Sequence, residues 1–257
     1  MAKWTLSTRD TVIGIEIKNG QPCIVFLGQP GGKNFAGRPA CARLPRRYTV
    51  NQAQITTQWE FRRAEEGELA GGKYTELYFR DPIGGLEARS RWEAHDDNSS
   101  GAVTHQIRLD NKTGQPVIIY QPESLDITLG VNDPTEVFFA HKNNADDYLE
   151  PLCDRYFIDV WTKPDEDAGF IPFVTLRAAK SYGLYIGLVS DHGRIAVRGI
   201  ESGGIITAKI KAGLYDDFCT TVNPDESFEV PMAFIGAYSE DIGEVSNRLR
   251  RYLNFFN

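Results

Sequence analysis

The stretch Val103-Thr-His-Gln-Ile-Arg-Leu-Asp110 alternates between apolar and polar side chains, with one histidine in the apolar set. Successive side chains of a β-strand point to opposite faces, so this period of two predicts a strand with one buried face. We expect Val103, His105, Ile107 and Leu109 to face the core. The alternate residues, Thr104, Gln106, Arg108 and Asp110, are expected to face water. The pattern predicts a β-sheet protein.

Neighbouring segments extend this prediction in both directions. Leu86 to Glu93 places four charges on one face and Trp92 on the other. Asn19-Gly20 is a turn of the kind that joins hairpin strands, because both residues accept positive φ. Further predicted strands are 11–17, 22–27, 55–61, 73–80, 117–120, 125–129, 156–161, 173–176, 183–189, 205–212 and 227–237. A dozen or more short strands separated by turns indicate an all-β sandwich.

The C-terminal segment changes to a helical period. One stripe of an α-helix would carry Ile242, Val245, Leu249, Tyr252 and Leu253, with Asp241 as its cap. We predict one helix over about residues 241–254. We find no internal repeat or linker, so residues 1–257 are predicted to form a single domain.

Composition excludes several classes of protein. The net charge of −7 repels phosphate backbones and argues against nucleic acid or an anionic membrane as the main partner. The only basic cluster, Arg43-Leu-Pro-Arg46-Arg47, is interpreted as a solvated loop. The chain has no apolar run near the ~18 residues of a membrane span and no signal-peptide core at its start, so we expect a soluble, cytoplasmic protein. The four cysteines are too sparse for a disulfide framework and are predicted to be free, buried thiols.

The sequence contains no recognisable catalytic motif. It has no nucleophile elbow, no H-E-x-x-H pair and no histidine spacing suited to a metal, so we predict neither a cofactor nor a metal. His105 is interpreted as a hydrogen-bonded core residue, and His141, after Val137-Phe-Phe-Ala, is placed at a rim. A free-standing aldose mutarotase or epimerase stays open as an alternative. It would need His105 or His141 as acid and Glu123, Glu136 or Asp159 as base.

The segment Tyr156-Phe-Ile-Asp-Val-Trp161 carries the best candidate for a sugar contact. Tyr156, Ile158 and Val160 can fill a core, which leaves Phe157, Asp159 and Trp161 on the opposite face. A tryptophan beside a carboxylate suits a sugar, because the ring stacks on its apolar face and the carboxylate accepts its hydroxyls. A strand buried on both sides would give the same pattern. A carbohydrate-binding module is therefore a further alternative.

Two longer stretches resemble a known family. The first runs from Leu86-Glu-Ala-Arg-Ser-Arg-Trp-Glu-Ala-His-Asp-Asp to Val103-Thr-His-Gln-Ile-Arg-Leu-Asp-Asn-Lys-Thr-Gly-Gln-Pro-Val-Ile-Ile. The second is Asn223-Pro-Asp-Glu-Ser-Phe-Glu-Val-Pro-Met-Ala-Phe-Ile-Gly-Ala-Tyr-Ser-Glu-Asp-Ile-Gly, followed by Ser246-Asn-Arg-Leu-Arg-Arg-Tyr. Both resemble the N-terminal β-sandwich of glycoside hydrolase family 36, the melibiase-type α-galactosidases.

The resemblance implies a fold and a role. The fold is a β-supersandwich like that of galactose mutarotases, ahead of a catalytic (β/α)₈ barrel that would need about 250 further residues. The family's two catalytic aspartates lie in that barrel, so the resemblance implies no catalytic residue in this chain. It implies a non-catalytic domain of a retaining α-glycosidase that supports the barrel, makes homo-oligomer contacts and helps shape a galactoside site. The apolar ending Leu253-Asn-Phe-Phe-Asn257 agrees with a chain that continues in nature.

The resemblance also implies two sugar contacts. In some members the sandwich reaches a neighbouring subunit's active site with the segment G-x-x-D-F-R-x-P-A. The nearest stretch here is Gly32-Lys-Asn-Phe-Ala-Gly-Arg-Pro-Ala40, with Asn34 in place of the acid and one residue inserted. By this resemblance, Asn34 and Arg38 are the candidate residues for a sugar contact.

Overall fold

Nearly all regular structure in the described part of the chain is β-strand. The computed structural model describes residues 2–36, 40–95, 101–130, 135–140, 147–162, 173–178, 181–190, 192–214 and 217–239, together with 243, 245 and 247. The strands are β1 Lys3–Ser7, β2 Val12–Lys18, β3 Gln21–Gly28, β4 Ala40–Cys41, β5 Arg47–Val50, β6 Ala53–Thr56, β7 Glu60–Leu69, β8 Gly72–Arg80, β9 Leu86–His95, β10 Val103–Asn111, β11 Val117–Tyr120, β12 Glu123–Gly130, β13 Thr135–Ala140, β14 Asp147–Pro151, β15 Phe157–Thr162, β16 Phe173–Ala178, β17 Tyr182–Val189, β18 Gly193–Ser202, β19 Ile205–Gly213, β20 Cys219–Val222, β21 Ser227–Glu229 and β22 Met232–Tyr238. The predicted all-β sandwich is confirmed.

The strands form four antiparallel sheets. The large sheet has the order β14-β13-β16-β17-β22-β10-β9-β8-β7, with β21 also paired to β10. A four-stranded sheet, called the groove sheet below, has the order β12-β19-β18-β15. Two smaller sheets have the orders β1-β2-β3-β4 and β20-β11-β5-β6.

One apolar core joins the inner faces of all four sheets. The large sheet contributes Trp92 and Ile107, and the groove sheet contributes Val197 and Ile210, each of them fully buried. Burying such side chains provides the main favourable term in folding, at about 25 cal/mol per Å² of apolar surface. The core therefore fixes which face of the groove sheet is turned to solvent.

Several local predictions are confirmed. Asn19 and Gly20 both have positive φ, at 51° and 71°, and they join β2 to β3. Burial alternates strictly along β9, with Trp92 inside and its charged neighbours outside. In both places a local sequence signal and the tertiary packing agree.

Two predicted strands are interrupted in the structure. The segment 55–61 is divided between β6 and β7, because the chain crosses from a small sheet to the large sheet at residues 57–59. There the indole Nε1 of Trp59 donates to the carbonyl of Pro45 at 2.8 Å. The segment 227–237 is divided at Val230 and Pro231, and proline has no N–H to continue a ladder.

Some burial predictions for single residues are wrong. Thr104 and Asp110 were expected in water, but they are only 1% and 5% exposed. Thr104 pairs with Phe234, which belongs to a second apolar cluster on the other side of the large sheet. Asp110 is enclosed by two arginines and by β21. Cys23 is buried as predicted, whereas Cys153 and Cys219 are exposed.

The predicted C-terminal helix lies largely outside the described residues. Gly243, Val245 and Asn247 are described, and all three are helical. Val245 is 1% exposed and packs in the second apolar cluster with Phe173, Tyr185, Phe234 and Tyr238. The segment therefore covers part of the large sheet's outer face.

Candidate functional site

The groove sheet has one buried and one solvent-facing side. Its inner side carries fully buried residues from three of its strands, namely Leu125, Ile127, Ile195, Val197, Ala208 and Ile210. Because side chains alternate along each strand, the residues between them point outward. The outer side is the part of the described structure that collects the sequence's best sugar-contact candidates.

Strand β15 has the orientation that its alternation predicts. Val160 is fully buried, and Tyr156 and Ile158 pack against the core. Phe157 is 52% exposed, so this strand is not buried on both sides. Trp161 and Asp159 are partly buried on the same outer face. The structure therefore places Trp161 and Asp159 on the outer side of the groove sheet, and a sugar contact by them stays a prediction.

Strand β18 lies beside β15 and brings two arginines to this face. Trp161 is paired with Arg194 across the strands, and Phe157 is paired with Arg198. Arg194 donates from Nε to Oδ1 of Asp159 at 2.6 Å. The guanidinium of Arg198 lies 5.6 Å from the ring centroid of Phe157, within range of a cation–π contact. The carboxylate of Asp159 is thus held by its neighbour.

Strand β19 adds two lysines to the same face. Lys209 lies across from Arg198, and Lys211 lies across from Ala196. Lys211 donates to the carboxylate of Glu123 on β12, and Lys209 Nζ lies 3.8 Å from Oδ1 of Asp126. Burial raises the pKa of Glu123 above its usual range, and the hydrogen bond from Lys211 opposes this shift in part.

The loop between β4 and β5 joins this surface. The backbone N–H of Arg43 donates to the carbonyl of Asp126 at 3.1 Å. The Arg46 guanidinium lies 3.5 Å from the carboxylate of Asp126. Arg43, Arg46 and Arg47 are exposed, as the interpretation of a solvated loop predicts. The structure adds that this loop is fastened to the edge of the groove sheet.

Side chains from these strands and this loop line two adjoining hollows, called the basic groove below, whereas Trp161 and Asp159 are not in the lining. The hollows measure about 280 and 330 Å³ and share Gln121, Glu123, Lys209 and Lys211. Phe157 lies in one hollow and Tyr120 in the other. The lining contains seven cationic side chains, namely Arg43, Arg46, Arg47, Arg194, Arg198, Lys209 and Lys211. The carboxylates in the lining are Glu123 and Asp126.

His105 occupies a different place, deep in the core. It is 1% exposed and stacks on Trp92 with ring centroids 3.8 Å apart. Its Nε2 is 2.8 Å from Ser90 Oγ, which also accepts a hydrogen bond from the Trp92 indole. Burial lowers the His105 pKa to about 3, and an interaction with the Ser124 backbone opposes this in part. The imidazole is a neutral structural group.

The residues of the mutarotase alternative are not brought together around His105. Glu123 and Asp159 lie on the outer side of the groove sheet, away from the buried imidazole. Glu136 lies on β13, where it accepts hydrogen bonds of 2.9 and 2.6 Å from Arg177. His141 lies outside the described residues. Among the described residues of this alternative, no acid therefore faces His105 across a space for a sugar.

Of the two contacts implied by the family resemblance, one is described. The Asn34 Oδ1 accepts hydrogen bonds from the backbone N–H groups of Leu27 and Ala36, at 3.0 and 2.9 Å. Its Nδ2 donates to the carbonyl of Val25 at 3.0 Å. The amide therefore shapes its own loop, and a sugar contact by Asn34 stays a prediction. Arg38 lies outside the described residues.

The four groove cations on β18 and β19 were missed at the sequence level. No strand was predicted over residues 193–202. Arg194 and Arg198 are four residues apart, which places them on the same face of a strand. Only the pairing of β15, β18, β19 and β12 brings them beside the lysines.

The described part of the chain has neither a metal-binding cluster nor a membrane-spanning helix. Among these residues, no group of three or more His, Cys, Asp or Glu side chains is arranged to hold a metal ion. Within the same ranges, no helix has the length and apolar character needed to cross a bilayer.

The described residues thus define a β-sandwich with a solvent-facing groove on its smaller main sheet. No protein-family model matches the sequence. A comparison with curated proteins also finds no match.

Solved structures show the same fold. The α-galactosidase from Lactobacillus brevis matches 97% of this chain with a TM-score of 0.76 at 14% identity, over 41% of its own length. The family 36 α-galactosidase AgaA from Geobacillus stearothermophilus matches 96% with a TM-score of 0.77 at 15% identity. The galactosidase domain of the α-galactosidase-sucrose kinase AgaSK matches 96% of this chain with a TM-score of 0.79 at 13% identity. This chain spans about 42% of the length of the last two. The expected likeness to the sandwich of family 36 α-galactosidases is confirmed at the level of the fold.

Proposed function

We propose that this chain is the non-catalytic sandwich domain of an α-galactosidase-like glycoside hydrolase. In this proposal its partner is a catalytic barrel of the same, longer polypeptide. The domain supports that barrel and takes part in homo-oligomer contacts. It needs no cofactor, and we place the enzyme in the cytoplasm.

One observation carries this proposal. The fold matches α-galactosidases over nearly the whole of this chain, yet over only about two-fifths of theirs. A catalytic (β/α)₈ barrel alone takes about 250 residues. In this chain, strands of the sandwich occupy the described sequence from Lys3 to Tyr238. The proposal therefore assigns the chemistry to sequence beyond the sandwich.

The experiment compares residues 1–257 with the polypeptide encoded by the complete reading frame. Both are purified and assayed with p-nitrophenyl-α-galactoside. We expect hydrolysis by the longer polypeptide and a rate equal to the buffer blank for residues 1–257. Hydrolysis by residues 1–257 alone, or a complete reading frame that adds no catalytic domain, would overturn the proposal. Faster mutarotation of freshly dissolved α-galactose by residues 1–257, followed by polarimetry, would replace it with the mutarotase alternative.

A second candidate role is a sugar contact through Trp161 and Asp159. The observation that favours it is the outward orientation of both residues, beside the exposed ring of Phe157. The apolar face of a galactoside would stack on the indole, and its hydroxyl groups would donate to the carboxylate.

Calorimetry with a galactoside such as raffinose tests this role. We expect Trp161→Ala to abolish detectable binding and Trp161→Phe to retain most of it, because phenylalanine keeps an apolar ring. As a control, Ile83→Ala removes an exposed apolar side chain from outside the groove lining and should leave binding unchanged. Equal binding by Trp161→Ala and the unmodified chain would exclude the role.

A further inference from the structure

The basic groove is out of keeping with the charge of the chain that carries it. The whole chain has a net charge of −7, yet the groove lining holds seven cations against two carboxylates. Like charges at close range repel, so gathering them on one face costs stability unless something compensates. The overall composition therefore does not account for the excess of positive charge in the groove.

Part of the excess is not neutralised within the described structure. Asp126 lies within ion-pairing distance of both Arg46 and Lys209, and Glu123 pairs with Lys211. Arg194 pairs with Asp159, which lies outside the groove lining. Among the described residues, Arg43, Arg47 and Arg198 have no carboxylate within ion-pairing distance. Guanidinium groups of this kind bind carboxylates and phosphates in a two-pronged geometry. The groove therefore offers several places to an anionic ligand.

The shape favours an elongated ligand. The two hollows share four lining residues, and together they cross the groove sheet from β15 to β12 and continue to the loop before β5. Three strand spacings correspond to about 14 Å. A ligand that followed the groove would span several of the cations at once.

The remaining lining favours a sugar over other anions. Phe157 and Tyr120 are 52% and 39% exposed, in different hollows, and each offers an aromatic surface to a ring. Gln121 and the Glu123 carboxylate supply oxygen acceptors to the part of the groove that both hollows share. Both oxygens can accept from a ligand's hydroxyl groups, and the negative charge of Glu123 opposes a phosphate at that position.

From these observations we infer that the basic groove binds a carboxylated oligosaccharide, whose carboxylates pair with Arg198 and Arg47 and whose rings pack on Phe157 and Tyr120. The site is separate from the enzymatic role proposed above. Its test uses binding alone, so loss of one conclusion leaves the other standing.

The probe is trigalacturonate, titrated into the chain by calorimetry at low salt. Its methyl ester is the matched ligand, because it keeps the rings and hydroxyls and removes the charges. We expect measurable binding of the acid, at least about tenfold weaker binding of the ester, and weakening of the acid's binding with added salt. Equal binding of acid and ester would overturn the proposal.

Arg198→Gln and Arg47→Gln test the residues. Both side chains are exposed and lack an ion pair among the described residues, so these variants should fold normally. We expect each to weaken trigalacturonate binding about tenfold. Arg62→Gln, on β7 in the large sheet, makes the same change of charge elsewhere and should bind like the unmodified chain. Equal effects of all three variants would overturn the proposal.

Two other occupants are distinguished in the same series. Equally tight binding of a single-stranded DNA oligonucleotide would show a surface for polyanions in general. Self-association in sedimentation experiments that trigalacturonate leaves intact and Arg198→Gln abolishes would show a contact between copies of the chain. Either result would overturn the assignment to a carboxylated sugar.

Discussion

Two solvent-facing surfaces of this sandwich carry many arginines but use them differently. On the outer side of β9 and β10, each arginine has a carboxylate close by: Arg89 and Arg108 both donate to Asp110, at 2.9 and 3.0 Å, and Arg91 donates to Glu93 at 2.6 Å. We call this the charge-paired face. In the basic groove, three arginines have no such partner among the described residues. The charge-paired face is neutralised by carboxylates of its own sheet, whereas the basic groove keeps positive charge that can bind an anion.

Local pairing explains the difference. Arg89 and Arg108 face each other across β9 and β10, and Asp110, two residues further along β10, lies within reach of both and offsets their charge. In the groove sheet, Arg198 lies between Phe157 and Lys209. Its neighbours across the sheet supply no carboxylate. The same type of side chain is therefore structural on one face and available on the other.

The largest expected effect tests the core behind the charge-paired face. Trp92→Ala removes a fully buried ring that stacks on His105 and donates to Ser90, and it should lower the free energy of unfolding by about 3–5 kcal/mol. Urea denaturation measures this loss. Trp161→Ala, on the outer side of the groove sheet, should cost less than half as much. Equal losses would contradict the assignment of the two tryptophans to core and surface.

The next prediction concerns pH. In the folded chain His105 stays neutral down to a pKa of about 3, whereas the unfolded chain takes up a proton below its ordinary value of 6.5. Stability should therefore fall as the pH is lowered from about 6.5 towards 3, by about 1 kcal/mol per pH unit from this group. Urea denaturation at several pH values should show a shallower fall for His105→Gln. His192→Gln, in an exposed turn, is the control and should keep the unmodified slope.

A smaller effect is expected when the charge-paired face is made to resemble the groove. Asp110→Asn leaves Arg89 and Arg108 without their shared carboxylate and should cost about 1 kcal/mol, since both arginines are well exposed. Asp225→Asn, in an exposed pair with Lys112, should cost almost nothing. Asp110→Asn should not gain affinity for trigalacturonate. A gain would show that unpaired arginines are sufficient without the groove and its rings.

The smallest expected effect is on the stability of the groove itself. Arg198→Gln should change the free energy of unfolding by less than about 0.5 kcal/mol, because the side chain is exposed and has no ion pair among the described residues. Thermal unfolding of the two chains should therefore coincide closely. A large loss would mean that Arg198 serves the fold, as Arg89 and Arg108 do.

Much of the fold could be predicted because its signals are local. The Asn19-Gly20 turn, the alternation in β9 and the outward face of β15 all depend on residues close in sequence. The breaks at residues 57–59 and 230–231 could not be predicted in the same way, because they depend on which sheet the next strand joins. The burial of Thr104 likewise depends on Phe234, more than a hundred residues away.

In the candidate site, too, the features that depend on nearby residues could be predicted, and those that depend on strand pairing could not. The sequence by itself determined that Phe157, Asp159 and Trp161 share one face, and that His105 points inward, because a period of two fixes sides. Only the tertiary structure decided that this face lies beside Arg194, Arg198, Lys209 and Lys211, and that the loop of Arg43 to Arg47 completes a groove. Alternation assigns a side chain to one of two faces. It does not specify which distant strand pairs alongside, and the charge of a surface depends on that pairing.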